Sequence, residues 1–123
     1  DLKITADFSH WTNVCESLLD DQKDNIKLAC QRTIHLHARV GHEEGPQVSD
    51  PRAPEWERYV QKFEQWWDII YNIRKKEGAK YFPIDPEFGP PYYQQVLPYT
   101  RQPVADLWDT CLWMKERLKK KYP

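Results

Sequence analysis

The chain has little excess charge, few cysteines and no long apolar run, and each shortage excludes a class of function. Eighteen Lys and Arg against 19 Asp and Glu leave a formal charge of −1 over 123 residues. A phosphate-binding surface is normally basic, so nucleic acid is not an expected partner. No apolar run approaches the roughly 18 residues that a membrane span needs, and the first residues do not resemble a signal peptide. Cys15, Cys30 and Cys111 are odd in number and far apart. They form neither a zinc-ligand spacing nor a disulfide framework, which points to a reducing, cytoplasmic setting. What the chain does have is aromatic mass: six Trp, seven Tyr and four Phe. Side chains of that size support a buried core, and the length suits one domain over residues 1–123. A strand-like stretch that begins at residue 2, with no initiating Met, predicts a piece of a longer protein.

The pattern alternates between strand and helix periods. Leu2 to Phe8 reads as a strand, with Leu2, Ile4, Ala6 and Phe8 on one side and Lys3, Thr5 and Asp7 on the other. Ser9 or Thr12 is placed to cap a following helix, whose apolar side is Val14, Leu18, Leu19, Ile26 and Leu28. Asp20, Asp21, Asp24 and Asn25 break that stretch in two, with Asp20 or Asp24 as the new cap. Thr33–Val40 predicts a second strand, with Ile34, Leu36, Ala38 and Val40 facing one way and His35, His37 and Arg39 the other. Residues 41–54 hold Gly45, Pro46, Pro51 and Pro54 and read as a long loop of the kind that forms lids. Trp56, Tyr59, Val60, Phe63, Trp66, Trp67, Ile70 and Ile73 recur at spacings of three and four, predicting a helix over Glu55–Glu77 that Gly78 stops. Lys80–Ile84 predicts a third strand running into a proline-rich stretch. A last helix starts near Pro103, with Val104, Leu107, Trp108, Cys111, Met114 and Leu118 as its buried stripe. Strands joined by helices in this order predict an α/β fold with a parallel sheet.

In such sheets functional side chains gather where strands end. The first strand delivers Asp7 and His10 there, the second His35, His37 and Arg39, and the third Asp85 and Glu87. Carboxylates with imidazole suit Mn²⁺, Zn²⁺, Fe²⁺ or Co²⁺. Two carboxylates held close repel unless a cation sits between them. The plainer readings stand beside this one. Asp7 and Ser9 would cap a turn, His35 and His37 would be half-exposed residues of an edge strand, and Glu87 would be a solvated loop carboxylate. His42, Glu43 and Glu44 read as a solvated loop tip, and Lys115 to Lys121 as charges complementing a helix C-terminus. The stripe over residues 56–73 reads as core. Trp11 and the Tyr92–Tyr93 pair fit either packing or the aromatic wall of a sugar site.

At these residues the chain resembles the xylose isomerase-like TIM-barrel superfamily, which includes sugar-phosphate isomerases, ketose 3-epimerases and endonuclease IV-like enzymes. Asp7-Phe8-Ser9-His10 is similar to that family's Asp-x-x-His, Ile34-His35-Leu36-His37 to its His-x-His, and Pro86-Glu87-Phe88-Gly89-Pro90 to the end of its final strand. The resemblance implies a C-terminal part, about three βα units, of a (β/α)8 barrel. It implies Asp7, His37 and Glu87 as ligands of a divalent metal ion (Mn, Zn, Mg or Co) and Glu87 and His10 as catalytic residues. His10, Trp11, His35 and Arg39 would bind a small carbohydrate substrate. The implied reaction is sugar or sugar-phosphate isomerisation or epimerisation, by proton transfer next to a carbonyl through a metal-stabilised enediolate. An endonuclease IV-like phosphodiester hydrolase and a non-catalytic binding domain are the alternatives. Two things are missing from the pattern. Three units fall short of the roughly 250 residues of a closed barrel, and the family's ligand Glu on an earlier strand has no counterpart. A homo-oligomer, or pairing with an N-terminal barrel half, is therefore the expected partnership.

Overall fold

The computed structural model describes residues 1–123. Three short parallel strands lie in the order β1 (Ile4–Ala6), β2 (Thr33–His37) and β3 (Ile84–Asp85). Four helices connect and follow them: α1 (Phe8–Val14), α2 (Lys23–Arg32), α3 (Glu57–Lys76) and α4 (Leu107–Lys121). The α/β reading with a parallel sheet therefore holds. β2 is the central strand, so His35 and His37 are not on a sheet edge.

The core is one apolar cluster. It joins Ala6 and Leu36 from the sheet, Ile26 and Cys30 from α2, Val60, Phe63, Trp67 and Ile70 from α3, and Met114 and Leu118 from α4. The α3 stripe is core, as its helical spacing predicts, and α3 and α4 are also tied by charge. Arg117 donates from Nε to Glu64 Oε1 at 2.6 Å, and Glu64 is buried. On the opposite face of the sheet Thr5 is exposed and His35 and His37 are half-buried. No helix is long and apolar enough to cross a membrane.

Several boundaries differ from those predicted, each for a local reason. β1 is shorter than Leu2–Phe8, because Asp7 already caps α1: its side chain accepts from the Ser9 backbone N–H, a role expected of Ser9 or Thr12. α2 starts after Gln22, which makes no side-chain cap, rather than after Asp20 or Asp24. Ile34 is 47% exposed instead of facing the core. Ile4 pairs with Thr33 and Thr5 with His35, so Ile34 is the extra residue of a bulge and loses the alternation. The third strand sits at Ile84–Asp85, not Lys80–Ile84, between Pro83 and Pro86, which have no N–H to donate. α4 begins at Leu107, capped by Asp106, because Pro103 is used in a bridge to Val96. Trp108 and Val104, expected in the α4 stripe, are exposed, as are Val14 and Leu28 on the earlier helices.

Burial decides the cysteine chemistry. All three thiols are free; Cys15 is exposed and Cys30 fully buried. Burial pushes the Cys30 thiol from 9.0 up to about 12. The folded protein therefore holds Cys30 neutral at a pH where the unfolded chain ionises it, and the unfolded chain binds fewer protons. Its contribution to stability is complete below pH 9 and is lost as pH rises from 9 toward 12. We expect urea midpoints to fall over that window, and the stability gap between wild type and Cys30→Ala to narrow. A gap that does not change with pH would contradict the assignment. In the folded protein a thiol reagent should label Cys15 rapidly and Cys30 only on unfolding.

Candidate metal centre

Asp7 lies at the end of β1, His37 closes β2, and Glu87 follows β3 by two residues. Parallel pairing puts those three ends side by side. A ligand atom from each of Asp7, His37 and Glu87 falls within 4.8 Å of the other two. The chemistry-bearing triad chosen from sequence is thus brought together. His37 Nδ1 lies 2.8 Å from Glu87 Oε2. Two ligands at right angles on one cation, with bonds of about 2.1 Å, lie about 3.0 Å apart, so this pair needs almost no movement to share an ion. The donor set, two carboxylates and an imidazole, fits Mn²⁺, Co²⁺ or Zn²⁺ better than Ca²⁺.

Asp7 is held from two sides. Its Oδ1 accepts from the Ser9 backbone N–H at 3.0 Å and from Ser9 Oγ at 2.5 Å. Its Oδ2 accepts from Arg39 Nη2 at 2.8 Å. Arg39 Nε donates in turn to Ser9 Oγ at 3.0 Å, closing a ring of three groups. A carboxylate offers about four lone-pair positions, and these contacts occupy three, so one remains on Oδ2 for an ion. The plainer reading of Asp7 as a helix cap is therefore correct, and the cap uses Oδ1.

Arg39 was expected in line with His35 and His37. It lies beyond the end of β2 and is only 2% exposed, buried between Asp7, Ser9 and the Tyr93 ring, 4.4 Å from its centroid. Its Nη2 also donates to His10 Nε2 at 2.7 Å. His10 is half-exposed and its ring stands edge-on to Tyr93. His35 lies 5.0 Å from His37, edge-on, with Nδ1 3.3 Å from Thr5 Oγ1, further down the open face. Trp11 is placed elsewhere. It packs edge-on against Phe8 and lines an apolar groove beside β1 with Val14, Leu19, Ile26 and Leu28. The aromatic wall of the centre is Tyr93 instead.

Ser9, expected only as a helix cap, and Gln47 and Gly89, expected in no site role, brace the cluster. Gln47 is buried; its amide N–H donates to Gly89 O at 3.0 Å and its Oε1 accepts from Gly89 N at 2.8 Å. This double bond pattern ties the 41–54 loop to the segment carrying Glu87, so the loop braces the centre rather than hanging free as a lid. A Cβ at Gly89 would stand 2.9 Å from Tyr93, so only glycine lets that ring approach. A signal for Gln47 existed in principle, a long polar side chain between Pro46 and Val48, but its partner is 42 residues away. The predicted loop tip is not simply solvated either: His42 packs on Trp56, and Tyr59 donates to Glu43 at 2.9 Å.

Comparison with family models, with curated proteins and with solved structures gave no match.

Proposed function

We propose that this chain carries one side of a divalent-metal centre that isomerises or epimerises a sugar or related polyhydroxy carbonyl compound, within a barrel of the xylose isomerase-like kind. The observation that supports the reading is the convergence of Asp7, His37 and Glu87 at three neighbouring parallel strand ends.

In this reading Asp7, His37 and Glu87 hold the ion. When bound, such an ion polarises a substrate carbonyl and lowers the cost of removing the neighbouring proton. Glu87 is exposed enough to reach substrate, and its Oε2 lies 2.8 Å from His37 Nδ1, which leaves Oε1 without a partner. Oε1 is the group that takes the proton from carbon and returns it. Tyr93 and Arg39 form a rigid wall beside His10, which orients substrate hydroxyls.

Titration with Mn²⁺, Co²⁺ or Zn²⁺ should raise the melting temperature of the wild-type chain, and His37→Gln and Glu87→Gln should each remove that rise. At a metal concentration 100 times Kd the gain is about 2.7 kcal/mol. An equal rise in both variants, or none in wild type, would exclude the centre. Incorporation of deuterium from D₂O into an aldose or ketose, lost in Glu87→Gln, checks the proton transfer.

A further inference from the structure

We infer that the substrate of this centre is an anion, and that its carboxylate is bound by Arg39 Nη1 together with the Nδ1–H of His10. The inference rests on the metal-centre reading above and names the substrate class. Arg39 is almost wholly buried, and three contacts fix its guanidinium through Nε and Nη2. Nη1 makes no hydrogen bond to the protein. Nor is it sealed in: the only buried side-chain polar atoms without a partner are Trp67 Nε1 and Arg74 Nε. A small part of a pre-oriented, always-charged donor therefore reaches the surface beside Asp7 and His10, although Arg39 as a whole is only 2% exposed.

His10 supplies the second donor by elimination. An arginine nitrogen only donates, so His10 Nε2 at 2.7 Å from Nη2 must accept, and the ring proton is on Nδ1. The ring is half-exposed, leaving that N–H available.

Charge identifies what these donors want. Asp7 and Glu87 together balance one divalent cation, and His37 and His10 are neutral in these roles. The guanidinium charge is then left over in the loaded centre, which favours a negative group on the ligand. Arg39 touches the same carboxylate that would hold the ion, which favours a ligand whose charge sits close to its coordinated oxygen. A carboxylate adjoining a hydroxyl or carbonyl carbon has its charge there. A phosphate at the far end of a sugar does not.

The test measures binding of D-glycerate, glycerol and inorganic phosphate to the Mn²⁺-loaded chain by water-proton relaxation, after the Mn²⁺ titration itself. Glycerate should bind at least about tenfold more tightly than glycerol, and more tightly than phosphate. His10→Gln, a half-exposed position, should weaken glycerate about three- to tenfold and leave the Mn²⁺ affinity unchanged. Arg39→Lys, if folded, should lose the preference for glycerate over glycerol, since a single ammonium cannot keep both the protein contacts and the free donor. Equal binding of glycerate and glycerol would overturn the inference, as would phosphate binding best or full glycerate affinity in His10→Gln. A wild-type chain that takes up no Mn²⁺ overturns the metal centre instead, and the inference with it.

Discussion

Arg39→Met should lower the unfolding free energy by about 3–5 kcal/mol, the range for breaking a buried ion pair from one side. The physical reason is the charge left behind. Asp7 is only 11% exposed at its side chain, and Arg39 is the one cation that touches it. Without the guanidinium, Oδ2 loses its donor, Ser9 Oγ loses the Nε contact, and the Tyr93 ring loses the group it covers. Met fills much of the aliphatic volume but restores none of these. Urea unfolding followed by tryptophan fluorescence measures the loss. The double variant Asp7→Asn/Arg39→Met should recover part of it, because a neutral amide keeps an oxygen for the Ser9 N–H without an unpaired charge. A loss below about 1 kcal/mol for Arg39→Met would mean that the pair behaves as a solvated surface contact.

Trp67→Ala is the second large effect, about 3–5 kcal/mol. Trp67 is the largest fully buried side chain, at 0% exposure, and lies in the same apolar cluster as Leu36 and Met114. Its ring stands 6.1 Å from Phe63, edge-on. Removing it leaves a void under the sheet that small neighbours cannot close. Trp67→Phe should cost much less than its lost volume implies, because the indole N–H has no hydrogen-bond partner. An unsatisfied buried donor carries a desolvation cost of about 1–3 kcal/mol, and phenylalanine does not have it. Chemical denaturation of the two variants side by side checks the ordering. Phe as costly as Ala would mean that the N–H is hydrated.

Side-chain chemistry was more legible here than element boundaries. Asp7, His37 and Glu87 stand out because each is a ligand type placed at a strand end, and strand ends follow from period and punctuation. Arg39 was visible as a residue and misleading as a pattern. Alternation extended it from His37, whereas its burial depends on Asp7, 32 residues earlier. Ile34 failed for a related reason, since one bulge residue cancels the two-residue period. Trp108 fits a helical stripe and yet is 71% exposed. Periodicity says which residues share a face, and only packing says which face is covered.

From its amino acids alone, this protein is an α/β chain with one aromatic-rich helix, a parallel sheet and ligand-type side chains at the strand ends. Those properties depend on local backbone preference and on hydrophobic spacing, both of which are written within a few residues. The tertiary structure alone decided that three strand ends meet, that Arg39 and Ser9 hold Asp7, that Gln47 fastens a loop to Gly89 and that Tyr93, not Trp11, walls the centre. Each of those contacts except the one between Ser9 and Asp7 joins residues far apart in the chain, and the energy that selects it exists only after the core has brought them together.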